Sequence, residues 1–80
     1  MKLNVRFYGS LKHHLGSTNE FELSEEACVE DLRSLLARES PQVAAILAGS
    51  AFAVANRLVS GSTRLKSGDP VDVMPPFSGG

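Results

Sequence analysis

Residues 29–39 read Val29-Glu30-Asp31-Leu32-Arg33-Ser34-Leu35-Leu36-Ala37-Arg38-Glu39 (VEDLRSLLARE), with apolar side chains at 29, 32, 35 and 36. A spacing of three and four residues puts Val29, Leu32, Leu35 and Leu36 on one stripe of an α-helix. Glu30, Asp31, Arg33, Arg38 and Glu39 fall on the other face. Two starts are open for this helix: Ser24 before Glu25-Glu26 is a good cap, whereas a start at Val29 leaves Cys28, a poor capping residue, in that position. In both cases the acidic residues gather at the N-terminal end, where the helix dipole favours them.

A helix with a single apolar stripe needs an apolar surface to lie on, and the segments around it change to a period of two. Lys2 to Tyr8 alternates, with Leu3, Val5 and Phe7 on one face and Lys2, Asn4, Arg6 and Tyr8 on the other. This is a half-buried strand whose polar face meets water or a partner. Beyond Gly9-Ser10 and LKHHLG (11–16), Asn19 to Leu23 alternates again with Phe21 and Leu23 inward, which predicts a hairpin with a long loop. After the helix, Ser40-Pro41 predicts a short second helix through Leu47, with Ser40 capping, Pro41 in the first turn and Gly49 as the stop. Phe52 to Val59 returns to strand chemistry, with Phe52 and Val54 as core candidates and Asn56-Arg57 as an interruption before Leu58-Val59. Leu65 leads into the turn signal KSGDP (66–70), and PVDVM (70–74) closes with Val71 and Val73 on one face and Asp72 and Met74 on the other. Pro75 and Pro76 cannot donate ladder hydrogen bonds, so the sheet ends there. Strands, one main helix, a short helix and further strands predict an α+β domain, a mixed sheet with the helix packed on one face. This is a ubiquitin-like β-grasp over residues 1–74, followed by an extended tail at 75–80.

The composition is that of a folded domain: 80 residues, 42% hydrophobic and 21% charged, with no linker or repeat. A net charge of −1 with a pI near 6.0, and basic residues scattered from Lys2 to Lys66, argue against nucleic acid as a partner. Neither a signal-length apolar run nor a membrane span is present in the sequence, so no membrane association and a cytoplasmic location are expected. Cys28 is the only cysteine, which excludes an internal disulfide and a multi-cysteine metal site. It is expected to be a buried or half-buried thiol. His13 and His14 are adjacent and cannot share one metal without a third ligand, so they are expected on solvated surface with no metal bound.

The tail is PPFSGG, Pro75 to Gly80. It has no charge and no periodicity, and in an extended or polyproline form it reaches about 18–20 Å. Pro75 and Pro76 stiffen its base, which lowers the entropy lost on capture. Gly79 and Gly80 carry no side chains and can pass through a slot too narrow for other residues. The group delivered is the α-carboxylate of Gly80. A carboxylate is a poor electrophile; adenylation by ATP converts it to a mixed anhydride open to attack by sulfur or by an amine. The inert alternative is a frayed terminus.

GDPVDVMPPFSGG (68–80) resembles the ending of the MoaD family, the small sulfur-carrier subunits of molybdopterin synthase. VRFYGSLKHHLG (5–16) resembles that family's opening strand and loop, and AVANRLV (53–59) its middle strand. The resemblance covers essentially the whole chain, and its most specific part is the PP-x-SGG terminus. Two departures are Lys12-His13, where the family often carries Arg-Glu, and Cys28, where it commonly carries Thr or Ser.

The resemblance implies that the chemistry is divided among proteins. An adenylating enzyme related to ubiquitin activators, using ATP, would activate Gly80, and a sulfurtransferase would supply sulfur to form a C-terminal thiocarboxylate. The tail would then enter a catalytic pocket on the large synthase subunit and pass sulfur to a cyclic pyranopterin in molybdenum or tungsten cofactor biosynthesis. Gly80 would carry the sulfur, Gly79 would permit entry, and Phe77 with Pro75, Pro76 and Ser78 would set the direction of the tail. No cofactor would be bound by the chain itself. Alternation places Tyr8 and Met74 outward as large exposed apolar groups, a pattern that marks an interface. Leu58 joins them, since the family uses a hydrophobic residue near that point, and Phe77 completes the partner-binding set. Three other readings stay open: a carrier for thiamine, amino-acid or tRNA-thiolation pathways, a ubiquitin-like modifier whose activated Gly80 is attacked by a target lysine, and an interaction domain with an idle tail.

Overall fold

The opening alternation becomes β1 (Lys2–Phe7) in the computed structural model of the chain, which describes residues 1–76. Leu3, Val5 and Phe7 are fully buried. Each such side chain contributes about 1.5–3 kcal/mol relative to exposure. β1 pairs antiparallel with β2 (Thr18–Glu22), Leu3 opposite Phe21, and the Phe7 and Phe21 rings meet edge to face with centroids 6.2 Å apart. The connection is more ordered than an open loop. A 3-10 turn at Gly9–Leu11 runs into α1 (Lys12–Leu15), and the two bury Leu11 and Leu15. Leu23 lies past the end of β2 and is only half-buried; its amide donates to the Met1 carbonyl at 2.9 Å.

The main helix, α2 (Val29–Glu39), has the expected bounds and buries Val29, Leu32 and Leu36 fully, with Leu35 half-buried at the rim. Of the two possible starts the fold takes Cys28. Glu25-Glu26 make a turn, with the Ala27 amide donating to the Ser24 carbonyl at 3.1 Å, and Cys28 is held extended by a bridge to Arg64. Its main-chain amide donates to the Asp31 carboxylate at 2.9 Å. A poor capping side chain is thus offset by an acceptor reaching back from the third helical position.

The second helical segment is a 3-10 turn at Pro41–Val43 followed by α3 (Ala44–Ala48). Ser40 does not cap it with its side chain. The Val43 amide, which such a cap would engage, is already taken by the Ser40 carbonyl at 3.0 Å. β3 (Ala51–Val54) and β4 (Arg57–Val59) form a two-residue hairpin. The interruption lies at Ala55-Asn56, not Asn56-Arg57: both have positive φ, 51° and 66°, as a type I′ turn requires. Phe52 is buried, whereas Val54 is only half-buried. β5 (Pro70–Met74) runs parallel to β1 and antiparallel to β3. The sheet order is β2-β1-β5-β3-β4, so the closing strand is the central one, and one face of this mixed sheet packs under α2. No helix among the described residues is long and apolar enough to cross a membrane.

Candidate functional site: the outer sheet face and the root of the tail

β5 leaves the sheet between two neighbours. Met74 lies opposite Ala51 of β3, and on the other side the Tyr8 amide donates to the Val73 carbonyl at 3.2 Å. Pro75 and Pro76 come next and are half-buried. Lacking N–H groups, neither extends the ladder. Phe77, Ser78, Gly79 and Gly80, the rest of the expected sulfur-bearing tail, lie outside the described residues.

With Leu3, Val5, Phe7, Phe52, Val71 and Val73 turned toward the helices, the alternating residues form the outer face. One row crosses four strands in register: Arg6 opposite Asp72, Asp72 opposite Ala53, and Ala53 opposite Leu58. Tyr8 and Met74 share this face at the end from which the tail departs. The Tyr8 hydroxyl donates to Asp72 Oδ1 at 3.4 Å and accepts from Arg6 Nη1 at 3.4 Å, while Arg6 Nε stands 4.0 Å from the same carboxylate oxygen. The Tyr8 hydroxyl, and after it the Asp72 charge, hold the Arg6 guanidinium above its ordinary pKa.

The expected apolar patch is therefore narrower than alternation implied. Tyr8 and Met74 are half-buried rather than exposed, because the Tyr8 ring is tied down by Arg6 and Asp72, and Met74 sits on a central strand with neighbours on both sides. Leu58 alone among the described large apolar side chains is fully open, at 74% exposure. It stands on edge strand β4, and its in-register neighbour Ala53 is too small to cover it. Leu58, Met74 and Tyr8 thus make a graded surface, apolar at the edge and polar where Arg6 and Asp72 meet.

His13 and His14 are exposed on α1, and Cys28 is a half-buried thiol. Among the described residues no group of three His, Cys, Asp or Glu side chains is placed to hold a metal ion. One residue of consequence was not legible beforehand. Arg33 reaches from α2 to the turn after α3, donating through Nη1 to the Leu47, Ala48 and Ser50 carbonyls, and its guanidinium lies 4.8 Å above the Phe52 ring. It fixes the segment entering β3, beside the tail's root.

Known proteins share this architecture. The ThiS family matches residues 5–80 of the chain. No curated protein matches it by sequence. Among solved structures, the putative molybdopterin converting factor subunit 1 from Pyrococcus furiosus is 29% identical with a TM-score of 0.85, covering 96% of this chain and 99% of that one. Subunit 1 and 2 of molybdopterin-converting factor from Helicobacter pylori were solved as a protein–protein complex. The chain matched there is 28% identical with a TM-score of 0.72, and all of both chains is covered. SAMP1 from Haloferax volcanii superposes over the full length of both chains with a TM-score of 0.82 at 17% identity, a likeness of fold alone.

Proposed function

Because the chain belongs to the ThiS family and has the ubiquitin-like sulfur-carrier fold, we propose that it is the sulfur-donating small subunit of a molybdopterin synthase, with Gly80 as the loaded residue. The observation that carries this reading is similarity along nearly the whole chain to a putative molybdopterin converting factor subunit 1, joined to a central strand that runs directly into PPFSGG. In the proposed cycle an adenylating enzyme joins the Gly80 carboxylate to the AMP part of ATP and releases pyrophosphate. A hydrosulfide equivalent delivered by a sulfurtransferase then displaces AMP, leaving a thiocarboxylate. The tail donates that sulfur to cyclic pyranopterin inside the large subunit, and hydrolysis returns the carboxylate. The chain binds no cofactor of its own, and the cycle runs in the cytoplasm.

The large subunit docks, in this proposal, on the outer face. Leu58 fills an apolar pocket on it, with Met74 and Tyr8 bordering the contact and Phe77 guiding the tail inward. A buried apolar centre ringed by polar groups is the usual anatomy of such an interface, and a relative of this chain was solved as a complex of the two subunits.

Intact-mass measurement on protein purified from its native host tests the proposal. One terminal oxygen of Gly80 should be found replaced by sulfur, and deletion of Gly79-Gly80 should end loading while the fold persists. Branched lysine peptides carrying Gly80 would instead assign a modifier. Continued pyranopterin sulfuration by the deleted protein would refute the carrier role.

A further inference from the structure

Gly49 lies just past α3, where a glycine is ordinarily chosen for a left-handed cap. Here that freedom is unused: Gly49 has φ of −100° and ψ of 3°, a conformation open to alanine. What the position uses is the missing side chain. A Cβ built on Gly49 would stand 2.9 Å from Pro76 Cγ and 3.9 Å from Pro76 Cβ. Carbon atoms not bonded to each other rest at about 3.5–4.0 Å, so the proline ring fits against this backbone only because nothing projects from it.

Topology explains the meeting. Ala51 lies opposite Met74 in the antiparallel β3–β5 pair, and continuing that register by two residues brings Gly49 opposite Pro76. The Gly49 side of the contact is held firmly. The Gly49 amide donates to the Ile46 carbonyl at 3.2 Å and the Ser50 amide to the Leu47 carbonyl at 3.1 Å. The Ser50 hydroxyl donates to the Ile46 carbonyl at 2.7 Å, and Arg33 gathers the carbonyls on either side. Pro76 lacks an N–H and makes no ladder hydrogen bond among the described residues. When the two are pressed together, the proline moves.

We infer that Gly49 is a positioning residue: its bare backbone is the seat for Pro76, and this seat sets the direction in which the tail leaves the sheet. Its functional consequence rests on the proposed reading of Gly80 as the reacting terminus. Relieving a 2.9 Å contact to an ordinary one displaces the ring by roughly 0.6–1.1 Å. Misplacement by about 1 Å far from the chemistry can lower a rate on the order of 100-fold.

Three variants test it: Gly49→Ala, Pro76→Ala, which removes Cγ, and the two combined. In the wild type, nuclear Overhauser contacts join the Gly49 Hα protons to the Pro76 Hγ protons. In Gly49→Ala the residual dipolar couplings after Met74 change while those of the sheet stay, and the double variant returns them. In ATP–pyrophosphate exchange driven by the adenylating enzyme of the same organism, Gly49→Ala lowers kcat about 10- to 100-fold. KM stays near wild type, and the double variant recovers most of the loss. A wild type without the Gly49–Pro76 contact, or a Gly49→Ala protein with unchanged couplings or unchanged kcat, overturns the inference. If the wild type itself supports no exchange, the Gly80 reading fails, and the couplings alone decide for or against Gly49 as the seat.

Discussion

Replacing Arg33 with Met keeps the length and apolar stem of the side chain but removes its guanidinium, and with it the tie between α2 and the turn that enters β3. The Leu47 and Ser50 carbonyls engaged by Nη1 are in part-buried contacts, whereas the Ala48 contact is exposed. A hydrogen bond to a charged donor contributes about 1.5–3 kcal/mol, and a buried acceptor left unpaired costs a similar amount. Contributions through one shared nitrogen do not add, so the expected loss is about 3 kcal/mol, including about 0.5–1 kcal/mol from the contact with Phe52. An 80-residue domain at roughly 0.05–0.15 kcal/mol per residue has about 4–12 kcal/mol in all. The variant therefore forfeits a large share, with a fall in Tm of roughly 12–24 °C. Urea denaturation followed by circular dichroism measures it. The nearby Glu30–Arg33 pair, 3.2 Å apart with Glu30 58% exposed, is a surface contact, and Glu30→Gln should cost under about 0.5 kcal/mol. A double-mutant cycle with Phe52→Leu isolates the ring contact. The reasoning is refuted if Arg33→Met loses less than about 1 kcal/mol, or if Glu30→Gln costs as much as Arg33→Met.

Ala55→Gly should raise stability by about 0.5–1 kcal/mol, because a left-handed alanine costs about 1–2 kcal/mol and glycine's added chain entropy returns only part of that; a lower urea midpoint would contradict the turn geometry. The Cys28 main-chain amide, and secondarily its thiol, hold the Asp31 carboxyl below its ordinary pKa. Its stabilising effect is thus complete above the unfolded value near 3.9 and disappears as pH falls through the lower folded value, so Asp31→Asn should flatten the acid limb of the stability profile, and an unchanged slope would refute the assignment. Leu58→Asp should change stability by less than about 0.5 kcal/mol, since the side chain is 74% exposed, yet abolish binding to the large subunit in titration calorimetry; retained binding places the docking contact elsewhere.

Architecture was legible where a local pattern is tied to burial. Lys2–Phe7, Val29–Glu39 and Pro70–Met74 show their inward residues by period alone, and three such segments suffice to propose a helix over a mixed sheet. Where side chains and backbone compete, local pattern misleads. An alanine with positive φ runs against its preference, so residue types point to a turn one residue later than the one the chain makes. Ser40 matched the composition of a cap, but its own carbonyl had taken the amide. Long-range partners stayed hidden: Tyr8 looked exposed because the carboxylate that engages it, Asp72, lies 64 residues onward. Arg33 read as one more charge on the solvent side of a helix, since nothing near it in sequence reveals the carbonyls at the end of α3. Gly49 is legible as a stop, but its contact with Pro76 is not. In the candidate site, Leu58 is picked out by resemblance and is exposed in the fold, the polar link among Arg6, Tyr8 and Asp72 needed the fold, and the chemistry expected of PPFSGG falls mostly on residues outside those described.

The place of β5 explains how a small domain can carry the tail proposed to react without putting its own stability at risk. A closing strand at a sheet edge frays, and a tail attached to it inherits that motion. Here the closing strand is central, paired along Asn4–Phe7 on one side and along Ala51–Val54 on the other. Detaching it breaks two ladders and opens the Val71 and Val73 core, an event close in free energy to global unfolding. The base of the tail is therefore as rigid as the domain itself. Beyond Met74 the dependence runs one way, because Pro75 and Pro76 contribute no ladder donors and the buried core draws on neither. A fold arranged like this divides two tasks: the chain up to Met74 carries the stability of the domain, and Pro76 against Gly49 takes its direction from that frame without adding to the core. Under the proposed function, a loss of sulfur loading on removal of Gly79-Gly80 would therefore report on the terminus, not on the domain that presents it.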